Sequence, residues 1–600
     1  MTRLSKSRPN LLKALSGLRS ESSVRVVWID AICINQEDLE ERSHQVQLMK
    51  QIYGNATRTV VFLGEASELS SPTIYFIKSL KIKRQWNSSA EMEEFQRASQ
   101  NLAERVAKDK HLQILTTKDL FGDLLERPFW KRIWIVQEVV LGKSVTIICG
   151  PDEIPWQEFL DATWTLSEAF SSDVQNIGRN SNVGSLGNLI NIDSFRALKD
   201  PNVRASIGDV VACLRQSNAT DPRDMIFGVM GLIQSSIKPD CVKPTTEDVF
   251  MSLVEECLAR DKSLDIICMR RKPTSIFKLP SWVPDWSDTW VKEPGSQNDL
   301  IEGSNLPPNP LIMKYFDACI LTQSVSESRL RADDGEEVEV IEWAAHDMTR
   351  PKASIDRSLG MLTTQGIQLG NIEYTGRVLA EYEERTPPFY EALSNWEEMM
   401  LERFGNCKSL KGGHYITDVL DQWLQVFTSG SIDRDGVLTN ELKETAGRRF
   451  EERTRRRLMY EETSHQYFGG GCMVEAFLRV ICGDRDEYHQ RLTEKKCKSF
   501  WELGEDGKPK WDLVLCHMVF ATDRRFMVLN NGCMGLAPIR AREGDIVCVL
   551  LGCSVPVLLR EGNDGKVTFV AEVYVHGFMD GEAIAVMKAG KVERKEWRIS

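Results

Sequence analysis

Six hundred residues exceed what one ordinary core takes up, so two to four domains are expected. A hydrophobic share of 42% and a charged share of 27% are those of water-soluble folded chains. The formal charge of -12 argues against a dominant nucleic-acid partner, whose phosphates demand a concentrated basic surface. The 15 cysteines are scattered with no CxxC, which fits reduced thiols in a cytoplasmic setting rather than a disulfide framework or a zinc site. No apolar run reaches the roughly 18–20 residues needed to span a bilayer. The nearest, Ile546 to Leu559, is interrupted by Gly552, Ser554 and Pro556. The first ten residues lack the apolar core and cleavage site of a secretory signal.

Val24 to Asp30 (VRVVWID) is apolar on both faces apart from Arg25, which predicts a buried parallel strand. Glu40 to Ala56 places Val46, Met49, Ile52, Tyr53 and Ala56 on one stripe of an amphipathic helix. Arg58 to Leu63 is a second buried-strand pattern, closed by Gly64, and the three together predict a βαβ unit. A polar, mostly helical stretch runs from about Ser67 to Asp119. Pro128 to Leu141 then predicts one helix, with Trp130, Ile133, Trp134, Gln137 and Leu141 sharing a face. Ser144 to Cys149 is a third strand. The sum is an α/β domain with a doubly wound parallel sheet, whose cleft lies beyond the carboxyl ends of its strands. Asp30 sits at such an end, and Glu138 lies one helical turn beyond Trp134.

Further along, Thr245 to Asp248 opens a helix with a capping-box pattern. Pro280 and Pro284 forbid helix throughout LPSWVPDW, which is expected as an extended strap seating Trp282 and Trp286 on an apolar surface. The basic tract Arg448 to Arg457 is interleaved with Glu and reads as a solvated helix. From about residue 511 the pattern turns to period two. Turn residues at Glu543-Gly544-Asp545 and Asn563-Asp564-Gly565 predict hairpins and a small barrel or sandwich. The expected layout is therefore an α/β domain over 9–150 and a helical extension over 151–300. A variable, mostly helical region over 301–510 and a small β-rich domain over 511–600 follow.

Two long blocks resemble the fungal heterokaryon-incompatibility (HET) domain. One is Trp28-Ile29-Asp30-Ala31-Ile32-Cys33-Ile34-Asn35-Gln36 with Glu41-Arg42, Gln45-Val46, Met49, Ile52-Tyr53, Ala56 and Leu63-Gly64. The other runs from Arg127-Pro128-Phe129-Trp130 to Gln137-Glu138. Asp221-Pro222-Arg223-Asp224, the segment Leu279 to Trp286 and Tyr574 to Glu582 resemble regions that follow HET domains. HET domains usually open with a further strand before the helix seen here at Pro9 to Arg19. On that comparison either the sequence starts late or the sheet lacks its first strand, and a missing strand would leave an edge and an incomplete cleft.

The HET resemblance implies non-self recognition and programmed cell death in the fungal cytoplasm, with protein partners or self-association. It also implies a remote similarity to TIR domains, some of which hydrolyse NAD. Trp134 and Glu138 match the TIR spacing of a Trp and a Glu four residues on, which implies a catalytic Glu138 and NAD contacts from Asp30 and Trp134. A carboxylate there would stabilise oxocarbenium character on the ribose, with NAD as substrate and no bound cofactor or metal. The residues alone also admit plainer roles: a solvated Glu138, a Trp134 in the core, and an Asp30 that fixes the loop Ala31 to Gln36. Cys33 is expected as a small buried side chain. A non-catalytic signalling module acting through protein contacts is the alternative. Gly142-Lys143-Ser144 fails as a phosphate loop because Gln137 stands where the first glycine belongs. Phe468 to Cys472 reads as a flexible turn. His576, Asp580 and Glu582 could be drawn as a metal set, but Gly577 and Gly581 between them favour a plain turn.

Overall fold

The computed structural model describes residues 9–19, 24–80, 127–169, 207–214, 217–233, 235–269, 275–287, 352–379, 473–484, 524–562 and 565–600, with isolated positions between them. The polar stretch beyond residue 80, the tract Arg448–Arg457 and the turn Phe468–Cys472 lie outside the described residues. The first unit begins with helix α1 (Pro9–Leu18), the single turn α2 (Asp30–Cys33) and the long helix α3 (Leu39–Asn55). Asp38 starts α3 by accepting the backbone N–H groups of Glu40 and Glu41, both at 3.0 Å, and Val46 and Met49 bury its inner stripe. Strand β1 (Thr59–Gly64) leads through α4 (Ser70–Leu80) and a 3-10 turn (Pro128–Lys131) into α5 (Ile135–Leu141). Strand β2 (Val145–Cys149) pairs parallel with β1, and β3 (Asp152–Pro155) returns antiparallel before α6 (Trp156–Ala169). The expected strands at 58–63 and 144–149 and the helix at 40–56 are all present. The β2–β3 hairpin carries this sheet a few residues past the boundary expected at 150.

Three expectations fail in this unit. Val24 to Ile29 is not a strand of the sheet: the segment is unpaired, with Val24 95% and Val26 97% exposed. Its β-branched residues suit a pleated surface, but propensity does not supply a neighbour to pair with. The described sheet is accordingly a three-stranded mixed one, smaller than the doubly wound parallel sheet expected. Pro128 to Leu141 is not one helix either. The Ile133 N–H is spent on the carbonyl of Asn218 at 3.1 Å, and the Asn218 N–H returns to Lys131, so the chain breaks between the 3-10 turn and α5.

The described residues of the middle region form helices α7 (Ile207–Cys213), α8 (Asp224–Met230) and α9 (Thr246–Arg260). The Thr245 hydroxyl accepts the Asp248 N–H at 3.1 Å, and the Asp248 carboxylate accepts the Thr245 N–H at 3.0 Å, which completes the capping box. The proline strap then runs across the C-terminal sheet. Trp282 and Trp286 are fully buried, and the Trp282 indole N–H reaches the Gly360 carbonyl at 3.1 Å. The Ser281 N–H donates to the Ser600 carbonyl at 3.2 Å, and the Ser281 hydroxyl accepts the Phe569 N–H at 2.8 Å.

A small hairpin, β4 (Arg329–Arg331) with β5 (Glu337–Glu339), precedes β6 (Ser354–Asp356) and the 18-residue β7 (Met361–Val378). Strand β7 is a long strand that the expected, mostly helical reading of 301–510 did not include. Its polar residues and its glycines Gly366, Gly370 and Gly376 hide the apolar alternation, and two of those glycines are needed for contact. A Cβ at Gly366 would stand 2.7 Å from the Val549 carbonyl oxygen, and one at Gly376 would meet the Trp396 ring. After α10 (Met473–Ile481) come β8 (Arg524–Leu529), β9 (Met534–Pro538), β10 (Ile546–Leu550), β11 (Val557–Glu561), β12 (Val567–Glu572) and β13 (Tyr574–Val575), then α11 (Glu582–Lys588) and β14 (Lys595–Ile599).

Strand β7 pairs with β14 through Leu362–Gly366, with β10 through Gly366–Asn371 and with β8 beyond Ile372. Because β10–β11, β11–β12 and β12–β14 also pair, five strands close into a ring: the expected small barrel. Alternate residues of β10 feed two cores. Ile546, Cys548 and Leu550 join the main core with Trp282 and Trp286, while Val547 and Val549 pack with Ile367, Leu558 and Phe578. The apolar run Ile546 to Leu559 is thus a barrel hairpin. No helix among the described residues is long and apolar enough to cross a membrane.

Candidate functional site

Glu138 lies on α5, the helix that delivers the chain to β2, and the α2 turn places Asp30 near it. The carboxyl of Glu138 is half-buried. Burial pushes it up to about 7; the Arg132 guanidinium opposes that rise and the Asp30 carboxylate adds to it. Tyr53, from α3, completes the cluster. Its phenol is raised above the ordinary value by burial first, then by Glu138 and Asp30, against Arg132. The Tyr53 ring meets Trp28 edge to face at 5.8 Å between centroids. Among the described residues neither the Glu138 carboxyl nor the Tyr53 hydroxyl has a hydrogen-bond partner, so both keep full capacity for a ligand.

Asp30 does the loop-fixing expected of it and remains exposed. Its Oδ1 accepts the Ala31 N–H at 2.7 Å, and its carbonyl accepts the Gln36 Nε2 at 3.1 Å and the Ile34 N–H at 3.1 Å. Cys33, expected buried, is exposed, because the short α2 turn faces outward and only Ile34 of this segment tucks in. Trp134 is half-buried against the core, and its indole N–H is donated to Asp224 Oδ2 at 3.1 Å. The structure thus brings Asp30 and Glu138 into electrostatic reach, while Trp134 is tied to the middle region. Residues 576–582 form the turn before α11, with Gly577 and Gly581 at positive φ and the Asp580 N–H held by Glu582 at 2.7 Å.

Sequence reasoning missed Tyr53 and Arg132 as site residues, because helical periodicity assigns the first to a packing stripe and leaves the second unremarked. It also missed what two quoted motifs do. Arg127 locks the end of β1: its guanidinium reaches the carbonyls of Leu63 at 3.3 Å and Glu65 at 2.8 Å, and the Asp123 carboxylate at 3.1 Å. In Asp221-Pro222-Arg223-Asp224, Arg223 pairs with Asp221 at 2.8 Å and with the carbonyls of Cys241 and Pro244. That leaves Asp224 to face Trp134 and Arg42.

The chain matches the heterokaryon incompatibility protein (HET) family over residues 2–138, a span that ends on Glu138, and the Het-6 beta-barrel domain over residues 484–596. Two stretches of the chain, one near each end, thus match heterokaryon-incompatibility domain families. The chain is similar to the heterokaryon incompatibility protein 6, OR allele, of Neurospora crassa, at 25% identity over 340 residues. The match covers 48% of this chain and 49% of that protein, so the chain spans about half the length of the curated relative it matches. No solved structure matches. The HET span holds Asp30, Tyr53, Arg132 and Glu138 together. The barrel described above begins before the Het-6 span, because β7 closes the ring from residues 361–378.

Proposed function

We propose that this chain acts in fungal non-self recognition, and that its HET domain triggers cell death by hydrolysing NAD at the cluster of Asp30, Tyr53, Arg132 and Glu138. The observation that carries this reading is Glu138: a half-buried carboxyl poised near neutrality beside a second acid, with its hydrogen-bonding capacity unspent. In NAD hydrolysis the bond between ribose C1′ and the nicotinamide nitrogen breaks, and its electron pair leaves with the ring. Ionised Glu138 stabilises the cationic ribose that results. Water then adds at C1′ and gives up a proton to the carboxylate, leaving ADP-ribose and nicotinamide. Arg132, exposed at the edge of the cluster, suits the pyrophosphate. Parallel β1 and β2 joined through α5 support the TIR-like comparison behind the choice of substrate. The reaction belongs in the cytoplasm, needs no bound cofactor, and begins when a protein partner or a second copy engages the domain.

The experiment is expression of the full chain in fungal cells with NAD and viability followed together. Glu138→Gln keeps the size of the side chain and removes its charge. It is expected to abolish both NAD loss and death, with a fall in NAD turnover of about 100-fold or more. A second reading, a non-catalytic signalling module, is favoured by the exposed apolar side chains of Val24, Val26 and Val27. It expects death without NAD loss, undiminished in Glu138→Gln.

A further inference from the structure

The two helices that carry Tyr53 and Glu138 are held from outside the HET span. Residues 218–241 grip α3 and α5 together. The Cys241 N–H donates to the Ser43 hydroxyl at 2.8 Å, and Gln47 Nε2 donates to the Pro239 carbonyl at 2.9 Å. On α5, the buried Gln137 donates to the Phe227 carbonyl at 3.0 Å, and Gly228 leaves no room for a side chain against Ile133. At the centre stands Asp224. One oxygen, Oδ2, accepts the Trp134 indole N–H at 3.1 Å and the Arg42 guanidinium at 3.4 Å, so a single carboxylate ties the start of α5 to α3. Its side chain is 7% exposed, and that of Arg42 is 25% exposed. A buried carboxylate that has lost one donor keeps its desolvation cost, so neither partner can be removed neutrally.

We propose that Asp224 is a positioning residue for the Glu138 cluster, holding Trp134 and Arg42 so that α3 and α5 present Tyr53 and Glu138 to one ligand. The proposal rests on the reading of that cluster as a site of NAD hydrolysis. Asp224 touches no reacting atom and acts through α5. The charged groups that face it are Arg42 from α3 and Asp221 and Arg223 from its own loop, while α5 offers the indole. Burial pushes its carboxyl up to about 6, so the tie weakens in acid.

The test uses the full chain with NAD itself. Asp224→Asn keeps an acceptor for the indole but loses the charge that faces Arg42, and Trp134→Phe removes the same hydrogen bond from the other side. Each is expected to lower kcat about tenfold at about pH 8, and the double variant to fall no more than roughly twofold further. Below about pH 6 the wild-type profile should fall with the slope of two protons, Glu138 and Asp224, and that of Asp224→Asn with the slope of one. Multiplied losses in the double variant, or an unchanged Asp224→Asn profile while Glu138→Gln is inactive, would overturn the proposal and leave the hydrolysis reading standing. If the wild-type chain consumes no NAD, that reading fails, and amide exchange still decides the positioning role. Asp224→Asn should speed exchange of residues 135–141 about tenfold with the barrel unchanged, and equal exchange would overturn it.

Discussion

The HET unit and the barrel handle exposed backbone and buried charge in opposite ways. In the barrel five strands close on one another, and β10 is buried at every residue. Its buried carboxylates Asp545 and Glu572 are paired: Arg560 meets Asp545 through two contacts of 2.8 Å, and Arg524 meets Glu572 at 2.7 Å. The HET unit keeps an unpaired apolar segment at Val24 to Ile29 and holds Glu138 beside a second acid, with no hydrogen-bond partner among the described residues. The barrel pairs its buried carboxylates with arginines, while the HET unit leaves a half-buried carboxyl beside a second acid.

If that contrast is right, the scaffold should be the more brittle half. The largest effect is expected from Trp282→Ala, which empties a fully buried site and frees the Gly360 carbonyl; it should cost about 3–5 kcal/mol in chemical denaturation. Next comes Gly231→Ala. The new Cβ would lie 2.9 Å from Cδ of the buried Gln137, and overpacking there should cost about 1–3 kcal/mol. A loss under about 0.5 kcal/mol would show that α5 moves freely and that the grip of residues 218–241 is slack.

Glu138→Gln should do the reverse and stabilise the fold. The folded carboxyl lies near 7, above its ordinary 4.5, so the stability that its proton contributes is present below about 4.5 and lost as pH rises through 7. Replacement by the neutral amide should therefore raise stability by about 1–2 kcal/mol at about pH 8, discounted for partial exposure, and by nearly nothing at about pH 4. Thermal unfolding at the two pH values reads this directly, and an equal effect at both would remove the strain from the site. The smallest effect belongs to Val24→Ser with Val26→Ser, where nothing is packed: less than about 0.5 kcal/mol in the same assay.

Legibility in the sequence followed the range of the interactions. Strands β1 and β2, helix α3 and the Thr245 capping box are written in spacings of a few residues, and the hairpins of the barrel in their turn glycines. What depended on distant partners was hidden. Val24 to Asp30 has the composition of a strand but finds no neighbour, and the helix over Pro128 to Leu141 is broken by Asn218, far along the chain. Strand β7 was missed because its glycines and polar residues fit tight neighbours that only the closed barrel reveals. At the site, Glu138 and Asp30 were visible through family resemblance. Tyr53 looked like a packing residue, and the bond from Trp134 to Asp224 joins residues that no periodicity connects.

The central claim is that the HET unit holds a carboxyl poised near neutrality at Glu138. Titration of the side-chain carboxyl carbons by NMR in the full chain, with the Glu138→Gln spectrum subtracted, measures this group alone. The account predicts a midpoint near 7. A midpoint near the ordinary 4.5 would contradict it.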